Sequence, residues 1–310
     1  MEPFRVHILG CGSALPTLRH FPSIQVVECR GKIFMVDCGE GAQLQMRRAG
    51  LSFDKLGHIF ISHLHGDHCF GLIGFISTAG LLGRTAPLYI HAPAELQPML
   101  KAQLDMFFNY DIGYAVEFLP VDTTRHQVIF EDRSLQVETI PLSHRMPCCG
   151  FLFREKPGLP HIRRELIDMY GIPVSQINNI KAGQGYTLPD GTEIAHERLV
   201  RPADKPRSYA YCSDTRYMSH LHELLSGVDT LYHEATYTDE LSDLAEARHH
   251  STTLQAARCA LEAGAKRLVI GHYSSRQKNI ALYEAECRSV FPETYAASDL
   301  DTFDVPLVKY

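Results

Sequence analysis

The 310-residue sequence has no C-x-x-C pair among its nine cysteines, no low-complexity tract, no internal repeat and no apolar run long enough to span a bilayer. Its longest apolar stretch, near Leu72 to Leu82, is broken by Gly and Thr, which excludes a membrane-spanning chain. The first residues, MEPFRVHILG, place an acid at position 2 and run straight into a strand-like segment. They lack the basic region, apolar core and small-residue cleavage site of a secretory leader. Secretion is therefore not expected, and an odd number of cysteines without paired spacing reads as reduced thiols in a cytoplasmic protein. Nor is there an excess of positive charge. Thirty Lys plus Arg face 36 Asp plus Glu, for a formal charge of -6. That balance gives no global footprint for nucleic acid, although a local basic patch can coexist with an acidic whole. What is present is ordinary globular composition, 45% apolar and 21% charged, long enough to bury a substantial core.

The first sixty residues read as short strands at Arg5 to Leu9, Ser23 to Cys29, Lys32 to Asp37 and Ile59 to Ile61, with Arg30-Gly31 as a hairpin turn. After His68 the period changes, and Leu72, Ile73, Ile76 and Ala79 recur at helical spacing. Further strands are expected at Leu88 to His91, Gln127 to Phe130, Leu135 to Ile140, Tyr209 to Cys212, Thr230 to His233 and Leu268 to Gly271. Helices are expected at Ala94 to Phe107, Thr253 to Ala263 and Ile280 to Phe291. This is a mixed α/β chain, read as one domain over 1–310. One stretch does not fit the body. From about Arg154 to Pro206 the sequence is rich in Pro, Gly and charge, with slightly more bases than acids, and reads as an inserted arm. On composition alone a solvated surface loop is the alternative.

Histidine carries the chemistry. Of 17 histidines, three fall in Ser62-His63-Leu64-His65-Gly66-Asp67-His68, and at this composition the pattern H-x-H-x-D-H is expected by chance only roughly 0.003 times in such a chain. Imidazole nitrogens and a carboxylate are the donors that zinc accepts. Residues two apart on a chain leaving a strand can converge on one ion, while Gly66 lets the backbone turn so that Asp67 and His68 face a second. Four ligands on one loop would crowd two ions, so the remainder must come from elsewhere. His144, Asp214 and His272 each follow an expected strand, where ligands gather in open α/β sheets. Together they supply five imidazoles and two carboxylates, enough for a dinuclear site, with Asp214 as the natural bridge.

This arrangement resembles the metallo-β-lactamase superfamily, and further motifs resemble its ribonuclease Z branch. They are Leu9-Gly10 through Gly12-Ser13-Ala14-Leu15-Pro16-Thr17, then Asp37-Cys38-Gly39-Glu40-Gly41, Ser62 to His68 leading into Gly71-Leu72, His233-Glu234-Ala235-Thr236, and His250-Ser251-Thr252. They follow the family's order over nearly the whole chain. The arm departs from the pattern: relatives usually carry Gly-Pro after a G-[IV]-P element, whereas this chain reads Gly171-Ile172-Pro173 followed by Val174 to Ile180.

The resemblance implies an αββα sandwich with the metals at one edge and two Zn2+ per subunit. His63, His65 and His144 would hold one ion, Asp67, His68 and His272 the other, and Asp214 would bridge. Asp67 is the implied proton acceptor, with a helix starting just after it. His250, oriented by Glu234, is the implied general acid; only the match to His-Ser-Thr selects it over His249. The implied activity is hydrolysis of precursor tRNA after the discriminator nucleotide, leaving a 3′-hydroxyl on the tRNA and a 5′-phosphate on the trailer. A homodimer in which one subunit's arm serves the other follows from the same resemblance. Tyr186, Arg207, Tyr273 and Arg276 are candidates for phosphate or base contacts. Two readings compete: a generic phosphodiesterase acting on small diesters, which would have no use for the arm, and a non-catalytic RNA-binding or zinc-storage protein, which would lack ligands or a proton donor.

Overall fold

A computed structural model of the chain describes residues 3–108, 111–276 and 278–307. Strands β1 (Phe4–Gly10), β2 (Ile24–Cys29), β3 (Lys32–Val36), β4 (Leu56–Phe60), β5 (Leu88–Ala92) and β6 (Val116–Pro120) build most of a first sheet. Four helices, α1 (Ala42–Arg48), α2 (Gly66–Cys69), α3 (Leu72–Leu81) and α4 (Leu96–Phe108), are interleaved with them. A second sheet begins with β7 (Val128–Glu131), β8 (Leu135–Leu142) and β9 (Cys148–Glu155). After the arm it is completed by β14 (Ser208–Cys212), β15 (Thr230–Glu234), β16 (Leu268–Gly271) and β17 (Thr294–Ala296), and β18 (Asp301–Asp304) returns to the first. The strand orders are β18-β1-β2-β3-β4-β5-β6 and β17-β16-β15-β14-β9-β8-β7.

Alternation along the strands explains the layering. Val27, Phe34, Val36 and Phe60 pack with Val137, Phe151, Phe153 and Tyr209 between the sheets. Their neighbours Val26, Ile33, Met35 and Ile59 pack on the other side with Ala42, Met46, Phe75 and Ile76 of α1 and α3. Adjacent residues thus belong to opposite faces, as a period of two requires. On the second sheet, the helices Thr253–Glu262 and Ile280–Arg288 lay Ala256, Ala260, Tyr283 and Cys287 into the same core as the strands. The result is the expected αββα sandwich.

Several elements escaped the sequence pattern. The run Cys148–Glu155 is a central strand paired with β8 and β14 and buried along almost its whole length. A strand covered on both faces shows no polar alternation to read. The helix expected just after Asp67 instead starts at Gly66, with His65 as its N-cap, so Asp67 lies inside the first turn. All nine cysteines are free and buried. Among the described residues no helix is long and apolar enough to cross a membrane.

Arg154 and Glu155 remain in β9, and the separately packed part starts at β10 (His161–Ile162), which pairs with β13 (Val200–Arg201). Between these lie α5 (Arg164–Tyr170), α6 (Val174–Lys181), the β11 (Tyr186–Thr187) and β12 (Glu193–Ile194) hairpin, and α7 (His196–Leu199). They enclose a small core of Ile167, Ile172, Ile180, Ile194, Leu199 and Val200. Gly171, at φ 61, ends α5 in the left-handed conformation that glycine favours, and Pro173 caps α6. The sequence that departs from the family pattern, Val174 to Ile180, is therefore helix. The arm's root is clamped: Arg207 donates Nε and Nη2 to the Glu155 carboxylate at 2.9 and 2.8 Å, and Arg30 donates Nε to it at 3.0 Å. Arg207 is thus committed to a buried ion pair rather than to a phosphate.

A second buried polar pair has a measurable consequence. His58 Nδ1 and His91 Nε2 lie 3.0 Å apart between β4 and β5, with Phe60 stacked on His91 and Phe130 edge-on to His58. Burial pushes His58 down to about 4 and His91 down to about 3. A folded-state pKa below the unfolded value leaves stability unaffected above about pH 6.5, and removes it as pH falls from there toward the folded pKa. At pH 5 the almost fully buried His91 alone accounts for a loss of about 2 kcal/mol. Urea unfolding at pH 7.5 and 5 should show a drop smaller by about that amount in His91→Phe than in the parent chain. Equal drops in the two proteins would refute the assignment.

Candidate metal centre

The site forms where strands of both sheets end on one edge. β4 delivers Ser62 and His63, and the turn into α2 delivers His65, Asp67 and His68. β8 leads to His144, β14 to Asp214 and β16 to His272. Two glycines let the surrounding loops close on one another. A Cβ on Gly39 would stand 2.6 Å from the Asp67 carbonyl oxygen, and one on Gly71 would stand 2.0 Å from that of Gly39. Cys38 N donates to His68 O at 2.7 Å, and Gly71 N donates to Cys38 O at 2.9 Å. The Asp-Cys-Gly loop is therefore a clasp on the metal loop.

All seven expected ligands converge. One ligand atom each from His63, His65, His144 and Asp214 lie within 4.8 Å of one another, as do those of Asp67, His68 and His272. Asp214 faces both groups. Its Oδ2 is 3.7 Å from His63 Nε2 and 3.8 Å from His144 Nε2, while Oδ1 is 3.5 Å from His68 Nε2 and 3.2 Å from His272 Nε2. Asp67 Oδ2 stands 3.4 Å from both His68 Nε2 and His272 Nε2.

Two buried atoms in this cluster, His68 Nε2 and Asp214 Oδ1, have no hydrogen-bond partner. Orphaned polar atoms cost free energy unless something else satisfies them. Facing donors of nitrogen and oxygen only, a borderline cation fits them. The electrostatics agree. Burial, reinforced by the neighbouring imidazoles of His68, His144 and His65, drives His63 well below its ordinary range, into the neutral form that ligates metal. Burial likewise lowers His65 and His144. Burial opposes the charged form of His68, yet the Asp37, Asp67 and Asp214 carboxylates raise it well above the usual value. Burial also works against ionised Asp67, and is outweighed by His68 and His272, which hold it below the usual carboxylate range. Three buried carboxylates thus call for positive charge at this point.

The outer contacts fix the ring orientations. His68 Nδ1 meets Asp37 Oδ2 at 2.6 Å, His63 Nδ1 lies 3.0 Å from Ser62 Oγ, and His144 Nδ1 donates to His249 O at 2.8 Å. Sequence reasoning quoted Asp37 only as a motif letter; its side-chain role needs the register that brings β3 beside β4. His249 contributes its backbone, and its φ of 57 aims that carbonyl. Of the five non-glycine residues at positive φ among those described, Asp37, His249 and His272 serve this centre.

Beside these candidate ligands, His250 Nδ1 lies 2.9 Å from Glu234 Oε1. Burial disfavours the imidazolium, but the Glu234 charge and hydrogen bond push His250 up to about 9. Burial disfavours charge on Glu234 too, and the adjacent imidazolium holds it down to about 2. The His250 ring lies 5.1 Å from that of His144 and 5.4 Å from that of His272. An open cleft of about 330 Å³ exposes the centre, with Ser13, Leu15, Arg145, Tyr237, Arg248 and Arg276 on its walls. Tyr273 is buried instead, donating to the carbonyls of Ile270 and Ala297. Thr17 performs turn chemistry, accepting from the amides of Arg19 and His20. A separate group, Cys11, His20 and Asp299, is hydrogen-bonded within itself and to the backbone, and ties the first loop to the last strands.

Comparison with known proteins agrees with this geometry. Residues 4–159 match the family described as anti-Pycsar protein Apyc1. A protein named ribonuclease Z from Bacteroides fragilis (strain YCH46) is 55% identical over 301 residues, covering 96% of this chain and 98% of its own. Another ribonuclease Z, from Phocaeicola vulgatus, is 52% identical over 309 residues and covers both chains completely. Among solved structures, the short form of human tRNase Z (ELAC1) superposes with a TM-score of 0.69 at 24% identity, over 97% of this chain and 99% of that one. The metallo-β-lactamase fold protein YhfI from Bacillus subtilis gives 0.68 at 18%, over 98% and 100%. These likenesses show the fold, the sequence relatives span the whole length, and the chain belongs to the ribonuclease Z family of metallo-β-lactamase-fold enzymes.

Proposed function

We propose that this chain is the endoribonuclease that removes the 3′ trailer from tRNA precursors, cutting after the discriminator nucleotide. The observation that carries the reading is the pairing of His250 with Glu234 at 2.9 Å, beside two groups of His and Asp side chains that Asp214 faces from between. The family's name and that of human tRNase Z supply the substrate class. His63, His65 and His144 would hold one zinc ion, Asp67, His68 and His272 a second, and Asp214 would span them. When bound, such a pair supplies Lewis acidity, acidifying water and neutralising charge that develops at phosphorus.

The chain's own groups do the rest. Asp67, kept ionised, accepts the proton of the attacking water. His250 holds a proton against Glu234 and presents its other ring nitrogen, Nε2, for the departing 3′-oxygen. Protonating that oxygen leaves a 3′-hydroxyl on the tRNA and a 5′-phosphate on the trailer. Arg145, Arg248 and Arg276 are exposed on the cleft and suit flanking phosphates. The arm over 154–206 is assigned to gripping RNA away from the cleft, in a homodimer where each arm serves the other subunit's centre. The protein acts in the cytoplasm, where tRNA precursors are made.

Metal analysis of the purified protein should find two zinc ions per chain, and Asp214→Ala, which removes the bridge, should lower this to one or none while the chain stays folded. Retention of two ions by that variant would contradict the bridging role. On a 3′-extended tRNA precursor, Asp67→Ala should abolish cleavage and His250→Ala should slow it by roughly 10² to 10⁴. Replacing residues 161–201 by a short turn should remove precursor cleavage and spare hydrolysis of small diesters. If the intact protein hydrolyses small diesters and leaves the precursor whole, the generic phosphodiesterase is the correct reading.

A further inference from the structure

The side chain of Thr236 meets three groups of the centre at once. Its Oγ1 donates to Glu234 Oε2 at 2.7 Å, and lies 2.8 Å from His272 Nδ1 and 3.2 Å from His250 Nδ1. The residue is buried, and its backbone is fixed: Thr236 N donates to Glu234 Oε2 at 2.9 Å, and Thr236 O accepts from Ser274 N and from Tyr283 Oη, both at 3.1 Å.

A hydroxyl has one proton and two lone pairs. The ionised Glu234 carboxylate can only accept, so the proton goes there. Both imidazoles must then present N–H at Nδ1 to the remaining lone pairs. For His272 this dictates the tautomer whose bare Nε2 faces Asp67 and Asp214 at 3.4 and 3.2 Å, the form a metal ligand needs. For His250 it adds a second acceptor beside Glu234 and locks the ring's rotation, so that Nε2 points into the cleft.

We infer that Thr236 is a positioning residue that sets the His272 tautomer and the His250 ring with one hydroxyl, coupling the metal ligand to the proton donor. The inference rests on the reading of His272 as a ligand and His250 as the acid. It assigns Thr236 two separable effects. Val has the same shape without the hydroxyl and leaves His272 Nδ1 and Glu234 Oε2 each one partner short, whereas Ser restores the oxygen.

The test uses the full-length zinc-loaded protein as Thr236, Thr236→Val and Thr236→Ser. Zinc affinity is read by chelator competition, and turnover is read on a 3′-extended tRNA precursor and on bis(p-nitrophenyl) phosphate, whose leaving group departs without a proton. Thr236→Val should bind one of its two ions about 10 to 100 times more weakly. With saturating zinc it should regain hydrolysis of the activated diester, while precursor cleavage stays depressed by roughly 10² or more. Thr236→Ser should fall within a few-fold of the parent in all three measurements. Parent-like zinc affinity in the Val variant, or equal loss on both substrates at saturating zinc, would overturn the inference; so would a Ser variant as impaired as Val. Should the parent fail on the precursor and still turn over the diester, the substrate assignment falls, and the zinc competition still decides the role of Thr236.

Discussion

The centre depends first on the burial of Asp37. Its carboxylate is fully enclosed and accepts from Ser62 N, Ser62 Oγ, Tyr211 Oη and the Nδ1 of His68. Tyr211 belongs to β14 in the second sheet, while Asp37 and Ser62 follow strands of the first. One buried charge therefore joins the two sheets at the edge where the ligands meet. It also turns His68, so that Nε2 faces Asp67 and Asp214. An uncompensated carboxylate in such a place would cost several kcal/mol, so its four donors are conditions of the fold as well as of the chemistry.

From that joint the remaining geometry follows. The sheets meet face to face, so strand ends from both arrive within a few ångströms, and the candidate ligands lie in the loops just beyond β4, β8, β14 and β16. Loops alone would be too mobile to hold seven side chains. Here the loops bond to each other, as with Cys38 and His68 or Cys11 and His272. Left-handed residues at Asp37, His249 and His272 carry strain that the surrounding hydrogen bonds hold in place. Each costs about 1 to 3 kcal/mol, which packing of the sandwich must offset.

Much of this was legible in the sequence, for identifiable reasons. The convergence of the loop was plain because H-x-H-x-D-H compresses four candidate ligands into six positions. His144, Asp214 and His272 were legible because each follows a strand with a clear apolar run. What stayed hidden depends on pairing. β9 carries no alternation, since both faces are covered, and Thr236 is only a motif letter until the loop after β16 brings His272 and Ser274 against it. The distinction between His249 and His250 also needs coordinates: adjacent in sequence, one offers a carbonyl to His144 and the other a ring to Glu234. The arm's position was readable but its internal elements were not, because helices of seven and eight residues, and two-residue strands, are too short for a periodic signal.

The acidic balance of the chain, at first sight unsuited to RNA, resolves in the same terms. Part of the formal charge of -6 lies on Asp37, Asp67, Asp214 and Glu234, which are buried and face imidazoles and hydrogen-bond donors instead of solvent. The proposed pair of divalent ions would add four positive charges where the scissile phosphate would sit. The guanidinium groups of Arg145, Arg248 and Arg276 lie outside, on the cleft walls. With those ions in place, a phosphodiester approaching this edge would meet a local field opposite in sign to the chain's total. Net charge governs solubility and long-range encounter, whereas the Debye length of about 8 Å at physiological ionic strength leaves the last step to the groups at the cleft.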